Sequence, residues 1–138
     1  MNREMAEIIR NRKPYCLRPA ATVRIACEAM HQRRIGAIMV TDEAGALLGI
    51  FTARDLVRCV ADGMDVAMTE LEDVMTRDPA TMPTGAGAIE ALRLMRDGGF
   101  RHVPVVENGV PVGIVSRGDF RGLEHDRLDV ETGLWERI

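Results

Sequence analysis

The stretch Gly49-Ile-Phe-Thr-Ala-Arg-Asp-Leu56 decides the fold, because it recurs as Gly113-Ile-Val-Ser-Arg-Gly-Asp-Phe120. Both copies read glycine, two apolar residues, a hydroxyl residue, two variable positions and an aspartate. The copies lie 64 residues apart (113 − 49 and 119 − 55). Self-similarity at a fixed period indicates that one supersecondary unit occurs twice in the chain.

The similarity between the two copies extends upstream of this motif. One residue is missing from the second copy's turn, so the offset there becomes 65. At that offset Pro14 aligns with Pro79, Met30 with Met95, and Val40 with Val105. Two unrelated strands that happen to contain glycine would not agree at both ends with a single one-residue shift. The chain therefore holds two copies of one unit.

Apolar periodicity predicts the order β-α-β-β-α in each copy. Thr22 is the predicted N-cap of the first long helix. The predicted elements are helices over 22–33 and 54–62 with strands over 35–41 and 47–52, then helices over 88–96 and 119–124 with strands over 103–106 and 112–116. A further amphipathic helix is predicted over 2–12.

The predicted organisation is a mixed α/β fold in which two small repeats share one body. We divide the chain into an N-terminal helix (1–13), a first repeat (14–63), a connecting segment (64–77), a second repeat (78–124) and a docked tail (125–138). A unit of this size buries little surface alone. We therefore expect the two copies to pack as one module with a pseudo-twofold axis.

Composition excludes several classes of protein. The 138 residues are 46% hydrophobic and 28% charged, as in folded globular chains rather than disordered ones. A net charge of −3 and an aromatic content of 4% argue against nucleic-acid binding. Three cysteines without a C-x-x-C pair favour a reducing, cytoplasmic setting. No apolar run is long enough to predict a membrane span.

The repeated motif permits two interpretations. Thr52 with Asp55, and Ser116 with Asp119, have the spacing of a helix capping box, which needs no ligand. The same helix start could also attract phosphate through its unpaired N–H groups. The carboxylate could then accept both hydroxyls of a ribose, as an acid does in dinucleotide-binding folds. The motif alone does not choose between a cap and a ligand site.

Two such units in tandem resemble a pair of cystathionine-β-synthase (CBS) domains. The first copy carries the resemblance in Arg34-Ile-Gly-Ala-Ile-Met-Val40 and in its motif. The second carries it in Asp78-Pro-Ala-Thr81, in Phe100-Arg-His-Val-Pro-Val-Val106 and in its motif. The resemblance covers about residues 14–124. The start of the first copy departs most from the family pattern.

The resemblance implies a stand-alone regulatory module rather than an enzyme, with no obligatory cofactor. Its ligand would be an adenosine-containing molecule bound in the cleft between the repeats: AMP, ADP or ATP first, with S-adenosylmethionine or NAD as alternatives. The implied partners are a second copy of the chain, as a homodimer, and an unidentified regulated protein.

The resemblance also implies a role for particular residues. Asp55 and Asp119 would hold ribose, while Thr52, Arg54, Ser116 and Arg117 would hold phosphate, and Thr81, Arg101 and His102 would add contacts in the second site. In the first copy, Cys16 stands at the place of Thr81, and Gly36 and Ala37 stand at the places of Arg101 and His102. The second site is therefore favoured.

Three other functions remain to be weighed. A structural or protein-interaction module would use the motif only as a helix cap. A nucleotide hydrolase would need a cluster of carboxylates or metal ligands, which the spacing does not show. RNA binding would be salt-dependent and is disfavoured by the acidic charge balance.

Overall fold

The computed structural model describes residues 2–120, and its helices and strands follow the predicted alternation. In chain order the elements are α1 (Met5–Ile8), β1 (Cys16–Leu17), α2 (Val23–Arg33), β2 (Ala37–Thr41), β3 (Leu47–Thr52), α3 (Ala53–Ala61), α4 (Leu71–Val74), β4 (Thr76–Arg77), α5 (Ala88–Gly98), β5 (His102–Glu107), β6 (Val110–Ser116) and a 3-10 turn at Arg117–Asp119. The result is a mixed α/β fold.

The chain divides into two compact units. The first-repeat unit comprises Pro14–Pro79 together with Asn108–Pro111. The second-repeat unit comprises, among the described residues, 2–13, 80–107 and 112–120. Each unit has its own cluster of buried apolar side chains, so each repeat has a core of its own.

The first-repeat unit is built on a four-stranded sheet in the order β1-β2-β3-β4. Strand β2 runs parallel to β1 and antiparallel to β3, and β4 pairs antiparallel with β3. All five residues of β2 are buried, as expected for a strand covered on both faces. The sheet carries α3 directly after β3, which places the first copy of the motif at a strand-to-helix junction.

The second-repeat unit is built on the β5–β6 hairpin. Asn108 and Gly109 connect the two strands, with φ angles of 52° and 78°. Positive φ at both central residues is typical of the tight turns that join antiparallel strands, and it explains the Asn-Gly pair. The two strands predicted over 103–106 and 112–116 are thus joined by a tight turn.

Strand register confirms that the sequence repeat is a structural repeat. In the first-repeat unit Leu17 pairs in parallel with Val40. In the second-repeat unit Met82 pairs in parallel with Val105. Both partners are displaced by the same 65 residues (82 − 17 and 105 − 40).

Each core is completed by the short segment that precedes the other repeat. Met5, Ile8 and Ile9, which precede the first repeat, are buried in the core of the second-repeat unit. Leu71, Val74 and Met75, which precede the second repeat, are buried in the core of the first-repeat unit. The connecting segment therefore docks on the repeat that it follows.

The predicted helix over 2–12 is wrong in length, because α1 is a single turn at Met5–Ile8. The backbone at the N-terminal end of α1 makes hydrogen bonds to another segment instead of extending the helix. The amide of Met5 donates to the Ala86 carbonyl (2.8 Å), and the amide of Ala88 donates to the Arg3 carbonyl (2.6 Å). These bonds tie the segment to the start of α5 and leave fewer residues for a helix.

The caps of the two long helices are formed differently. The Thr22 side chain accepts the Ile25 amide (3.3 Å), so the predicted N-cap of α2 is confirmed. Gly87 precedes α5 and offers no side chain. Asn2 supplies the missing acceptor, since its Oδ1 atom accepts the Ile89 amide (3.0 Å). The N-terminal segment thus stabilises α5 as well as the core.

The glycine of each motif copy gives room to the short segment that precedes the other repeat. A Cβ atom on Gly49 would lie 2.6 Å from Met75 Sδ and 2.8 Å from the Thr76 carbonyl oxygen. A Cβ atom on Gly113 would lie 2.9 Å from the Cβ of Ile9. Neither glycine has a positive φ. The motif therefore requires glycine for close approach and not for backbone conformation.

Replacing Gly49 by alanine should lower the free energy of unfolding by about 1–3 kcal/mol, the usual penalty for overpacking a core. Part of the obstruction is the Thr76 backbone, which cannot rotate away. Urea denaturation monitored by circular dichroism measures the change. Gly85→Ala is the matched control, since nothing lies within 4 Å of its Cβ position. Equal midpoints for the two variants would contradict this role of Gly49.

Two sequence predictions fall partly or wholly outside the described residues. The helix predicted over 119–124 begins in the 3-10 turn at Arg117–Asp119, and residues 121–124 are not described. The docked tail predicted over 125–138 is also outside the described range. Within residues 2–120, no helix is long and apolar enough to cross a membrane.

Candidate functional site

The motif aspartate caps a helix start in the first repeat. The Thr52 amide and hydroxyl donate to Asp55 Oδ2 at 2.9 and 3.0 Å, and the Asp55 amide donates to Thr52 Oγ1 at 3.2 Å. The other carboxylate oxygen, Oδ1, contacts Arg58 at 3.2 Å, and the Asp55 side chain is 8% exposed. Asp55 is therefore both nearly buried and paired on both oxygens.

The second repeat uses the same cap in a more open position. The Ser116 amide donates to Asp119 Oδ2 at 2.7 Å, and its hydroxyl lies 3.3 Å from the same oxygen. The Asp119 side chain is 18% exposed. The capping interpretation is thus confirmed for both aspartates, and Asp119 is the one that solvent and solutes reach more easily.

Two arginines from the N-terminal segment hold Asp119. Arg12 donates through Nη1 to Oδ2 and through Nη2 to Oδ1, both at 2.8 Å. This is the bidentate geometry in which guanidinium and carboxylate bind most strongly. Arg3 donates through Nη2 to the Asp119 backbone carbonyl at 2.9 Å. The second-repeat site therefore includes residues that lie outside the repeat itself.

Sequence reasoning missed Arg12 and Arg3. Arg12 lies 107 residues from Asp119, so no local pattern connects them. One signal was available, because Arg12 aligns with Arg77 at the 65-residue offset that also aligns Pro14 with Pro79. That alignment does not identify a binding partner, since Arg77 donates instead to the Glu72 carbonyl at 2.9 Å.

The contact between Arg12 and Asp119 determines the ionisation state of Asp119. Burial raises the pKa of Asp119, but hydrogen bonds from Arg12 and Ser116 more than offset burial, so the net pKa is lowered. The hydrogen bond to Asp119 raises the pKa of Arg12. Asp119 is therefore ionised near neutral pH and offers a charged acceptor.

The remaining predicted contacts of the second site come together at one end of the β5–β6 hairpin. The Arg117 amide donates to the Arg101 carbonyl at 3.0 Å, which joins the end of β6 to the start of β5. Both arginine side chains are exposed. The first-repeat unit has the equivalent hydrogen bond, in which the Ala53 amide donates to the Gly36 carbonyl at 2.9 Å. Neither of these residues is an arginine. At this hydrogen bond the second site has two arginines and the first has none, although Arg54 follows Ala53 in the first repeat.

His102 contributes hydrogen-bonding groups to this end of the hairpin rather than a positive charge. Burial lowers the pKa of His102, the neighbouring Arg101 lowers it further, and Asp119 acts in the opposite direction. The imidazole is therefore mostly neutral near pH 7. A neutral ring offers one donor and one acceptor.

Thr81 and Cys16 occupy matching positions in the two units. Thr81 is exposed and immediately precedes Met82, whose amide donates to the Pro104 carbonyl of β5 (3.0 Å). Cys16 is half-buried in β1, and burial raises the pKa of its thiol. The first position therefore carries a neutral thiol where the second carries a hydroxyl.

The structure groups the predicted site residues by repeat. Thr52, Arg54 and Asp55 lie at the junction of β3 and α3 in the first-repeat unit. Thr81, Arg101, His102, Ser116, Arg117 and Asp119 lie in the second-repeat unit. Over residues 2–120, no group of three or more His, Cys, Asp or Glu side chains could hold a metal ion.

Comparison with known proteins connects this arrangement to one family. The CBS domain family matches residues 5–62 and 71–126. The two matched segments begin at α1 and at α4, the short helices that complete the two cores. A CBS domain-containing protein of Arabidopsis thaliana is 39% identical over 108 residues, which are 78% of this chain. The chain spans about a fifth of that relative's length, since the match covers 20% of it.

Solved structures show the same fold. A CBS-domain containing protein from Agrobacterium tumefaciens is 34% identical, with a TM-score of 0.78 and coverage of 84% of this chain and 89% of that one. A CBS domain protein from Pyrobaculum aerophilum, solved as a complex with AMP, is 26% identical with a TM-score of 0.84. That match covers 93% of this chain and 99% of the other.

Proposed function

Because the chain belongs to the CBS domain family and carries two of its repeats, we propose that it is a regulatory module that binds an adenosine-containing ligand. The observation that carries the proposal is Asp119, an ionised and partly exposed carboxylate in a cationic setting. A structural relative that matches nearly the whole chain was solved with AMP. AMP, ADP and ATP are the first candidates, with S-adenosylmethionine and NAD as alternatives.

In the proposed complex the ribose hydroxyls donate to Asp119, since an ionised carboxylate is a strong acceptor. The exposed guanidinium groups of Arg101 and Arg117 and the hydroxyl of Ser116 bind phosphate. The hydroxyl of Thr81 and the neutral imidazole of His102 are additional polar contacts.

The first-repeat site is the weaker candidate. Thr52, Arg54 and Asp55 repeat the motif, but the Asp55 side chain is 8% exposed against 18% for Asp119. The first repeat also has Gly36 at the place where the second has the cationic Arg101. We therefore propose that the second-repeat site has the higher affinity.

The proposed module regulates without catalysing a reaction. Recognition of ribose and phosphate by hydrogen bonds changes no covalent bond. A ligand of this kind acts by its different affinities for two arrangements of the protein, which shifts their populations. The signal would pass to a partner protein.

Isothermal titration calorimetry with AMP, ADP, ATP, NAD and S-adenosylmethionine tests the proposal. GMP is the matched control, because it carries the same ribose and phosphate on a different base. Binding of an adenine compound in clear preference to GMP would support the proposal. Mass spectrometry of small molecules that co-purify with the protein would identify the natural ligand.

A structural or protein-interaction module is the second candidate. The observation in its favour is that both motif aspartates already act in capping boxes without a ligand. Absence of binding to all five adenosine compounds would favour this alternative and overturn ligand sensing.

We also propose that the protein forms a homodimer through an exposed apolar patch. We define the patch as four exposed apolar side chains on α3 and the segment after it, of which the two valines lie three residues apart on α3: Val57 (68% exposed), Val60 (62%), Met64 (40%) and Met68 (74%). Apolar side chains grouped on a surface mark interaction sites more often than scattered ones do.

Introducing charge into this patch should dissociate the dimer. The double variant Val57→Glu, Val60→Glu places two carboxylates where apolar contact is expected, so the mass should fall from twice 15.3 kDa to 15.3 kDa. Size-exclusion chromatography with light scattering measures it. Val110→Glu, at an apolar residue that is 41% exposed outside the patch, should leave the mass unchanged. A double variant that stays dimeric would exclude the patch as the interface.

A further inference from the structure

The carboxylate proposed to hold ribose is occupied by the protein itself. Asp119 Oδ2 receives the Ser116 amide, the Ser116 hydroxyl and one Arg12 nitrogen, while Oδ1 receives the other Arg12 nitrogen. An ionised carboxylate has about four lone-pair sites, two on each oxygen. Oδ2 therefore already receives more donors than it has lone pairs. A ribose diol that binds both oxygens therefore needs at least the position on Oδ2 that Arg12 Nη1 holds.

The Arg12 guanidinium is exposed enough for a ligand to displace it from Asp119. Its side chain is 44% exposed, and beyond the pair with Asp119 the guanidinium faces solvent. The exposed guanidinium is well solvated by water once it separates from the carboxylate, which reduces the net free energy of the pair. A ligand that offers two hydroxyl donors can therefore compete with the guanidinium for Asp119.

Displacing Arg12 from Asp119 would free the chain just before the first-repeat unit begins. The core residues of α1 and Ile9 are fixed in the second-repeat unit. The first-repeat unit begins at Pro14, one residue after Lys13. Arg12 thus lies at the end of the N-terminal segment, two residues before the first-repeat unit begins, and its pair with Asp119 fixes this end within the second-repeat unit.

We propose that Arg12 is a latch that competes with ribose for Asp119, so that ligand binding releases the end of the N-terminal segment that leads into the first-repeat unit. This inference rests on the proposed function. Coupling between two equilibria is reciprocal, so weakening the latch must strengthen ligand binding to the same extent. For an exposed pair, the expected gain in affinity is about two- to fivefold.

Arg12→Gln tests the latch, with AMP as the probe in isothermal titration calorimetry. Arg10→Gln is the matched control, because it removes the same charge from an exposed residue of the same segment. Comparing the two variants cancels the general loss of attraction for phosphate. R12Q should bind AMP about two- to fivefold more tightly than R10Q. In an Asp119→Ala background the two variants should bind alike.

The possible results separate the latch from the proposed function. If wild type binds AMP but R12Q binds no more tightly than R10Q, the latch is overturned and the ligand site stands. Weaker binding by R12Q would mean that Arg12 contacts the ligand, which also overturns the latch. If R12Q alone binds AMP, the latch is supported and is stronger than its exposure suggests. Failure of all variants to bind any adenosine compound would overturn the proposed function and the latch with it.

Discussion

Asp119→Ala should weaken AMP binding about 10- to 100-fold, because it removes a charged acceptor of hydrogen bonds from the ligand. The loss combines the missing bonds with ribose and the cost of leaving its hydroxyls partly unpaired in the site. Isothermal titration calorimetry on the full chain measures the affinity. Asp119→Asn should lie between wild type and alanine, since an amide oxygen still accepts hydrogen bonds but carries no charge.

Asp55→Ala is the matched control for this substitution. It removes the same capping interaction in the other repeat, so any general effect of losing a cap appears in both variants. Each loses about 0.5–2 kcal/mol of stability by that route. AMP affinity should change little in Asp55→Ala. Equal losses in the two variants, or wild-type affinity in Asp119→Ala, would show that Asp119 does not hold the ligand.

Met5→Ala should lower the free energy of unfolding by about 2–5 kcal/mol. Met5 is fully buried among the apolar residues of the second-repeat unit. The substitution removes apolar contacts and leaves a cavity. Urea denaturation at equilibrium measures the loss.

Two comparisons make this result specific. Glu7→Ala alters an exposed side chain of the same helix, and should change stability by less than about 0.5 kcal/mol. Leu71→Ala removes the corresponding fully buried side chain of α4 and should cost a similar amount to Met5→Ala. A Met5→Ala variant as stable as Glu7→Ala would mean that α1 is not part of the core.

Much of the fold could be predicted because its elements carry local, periodic patterns. Helix α2 was placed to within one residue by apolar spacing and by the Thr22 cap, and strand β3 was placed at its observed bounds. Both signals arise within one element, from a side-chain period near 3.6 or 2. The tandem repeat followed from the same patterns occurring twice.

Elements without such a pattern could not be located from the sequence, although the repeat order includes a strand before the first long helix. Strands β1 and β4 are two residues each, too short to show alternation, and exist because they pair with β2 and β3. The length of α1 was overestimated because its flanking backbone pairs with residues 84–88, a partner far away in the sequence. The glycine of the motif was recognised, but its purpose depends on Met75 and Ile9, which pack against it only in the folded chain.

The sequence by itself determined that this chain is a pair of CBS repeats, and that each repeat joins a strand to a helix start through a hydroxyl residue and an aspartate. It also assigned the richer set of polar residues to the second repeat. Only the tertiary structure decided that Arg12 occupies Asp119, that Asp55 is nearly buried, and that α1 completes the second core. The reason is physical. Caps and amphipathic faces are interactions between near neighbours and leave periodic traces, whereas an ion pair across 107 residues is made by folding alone.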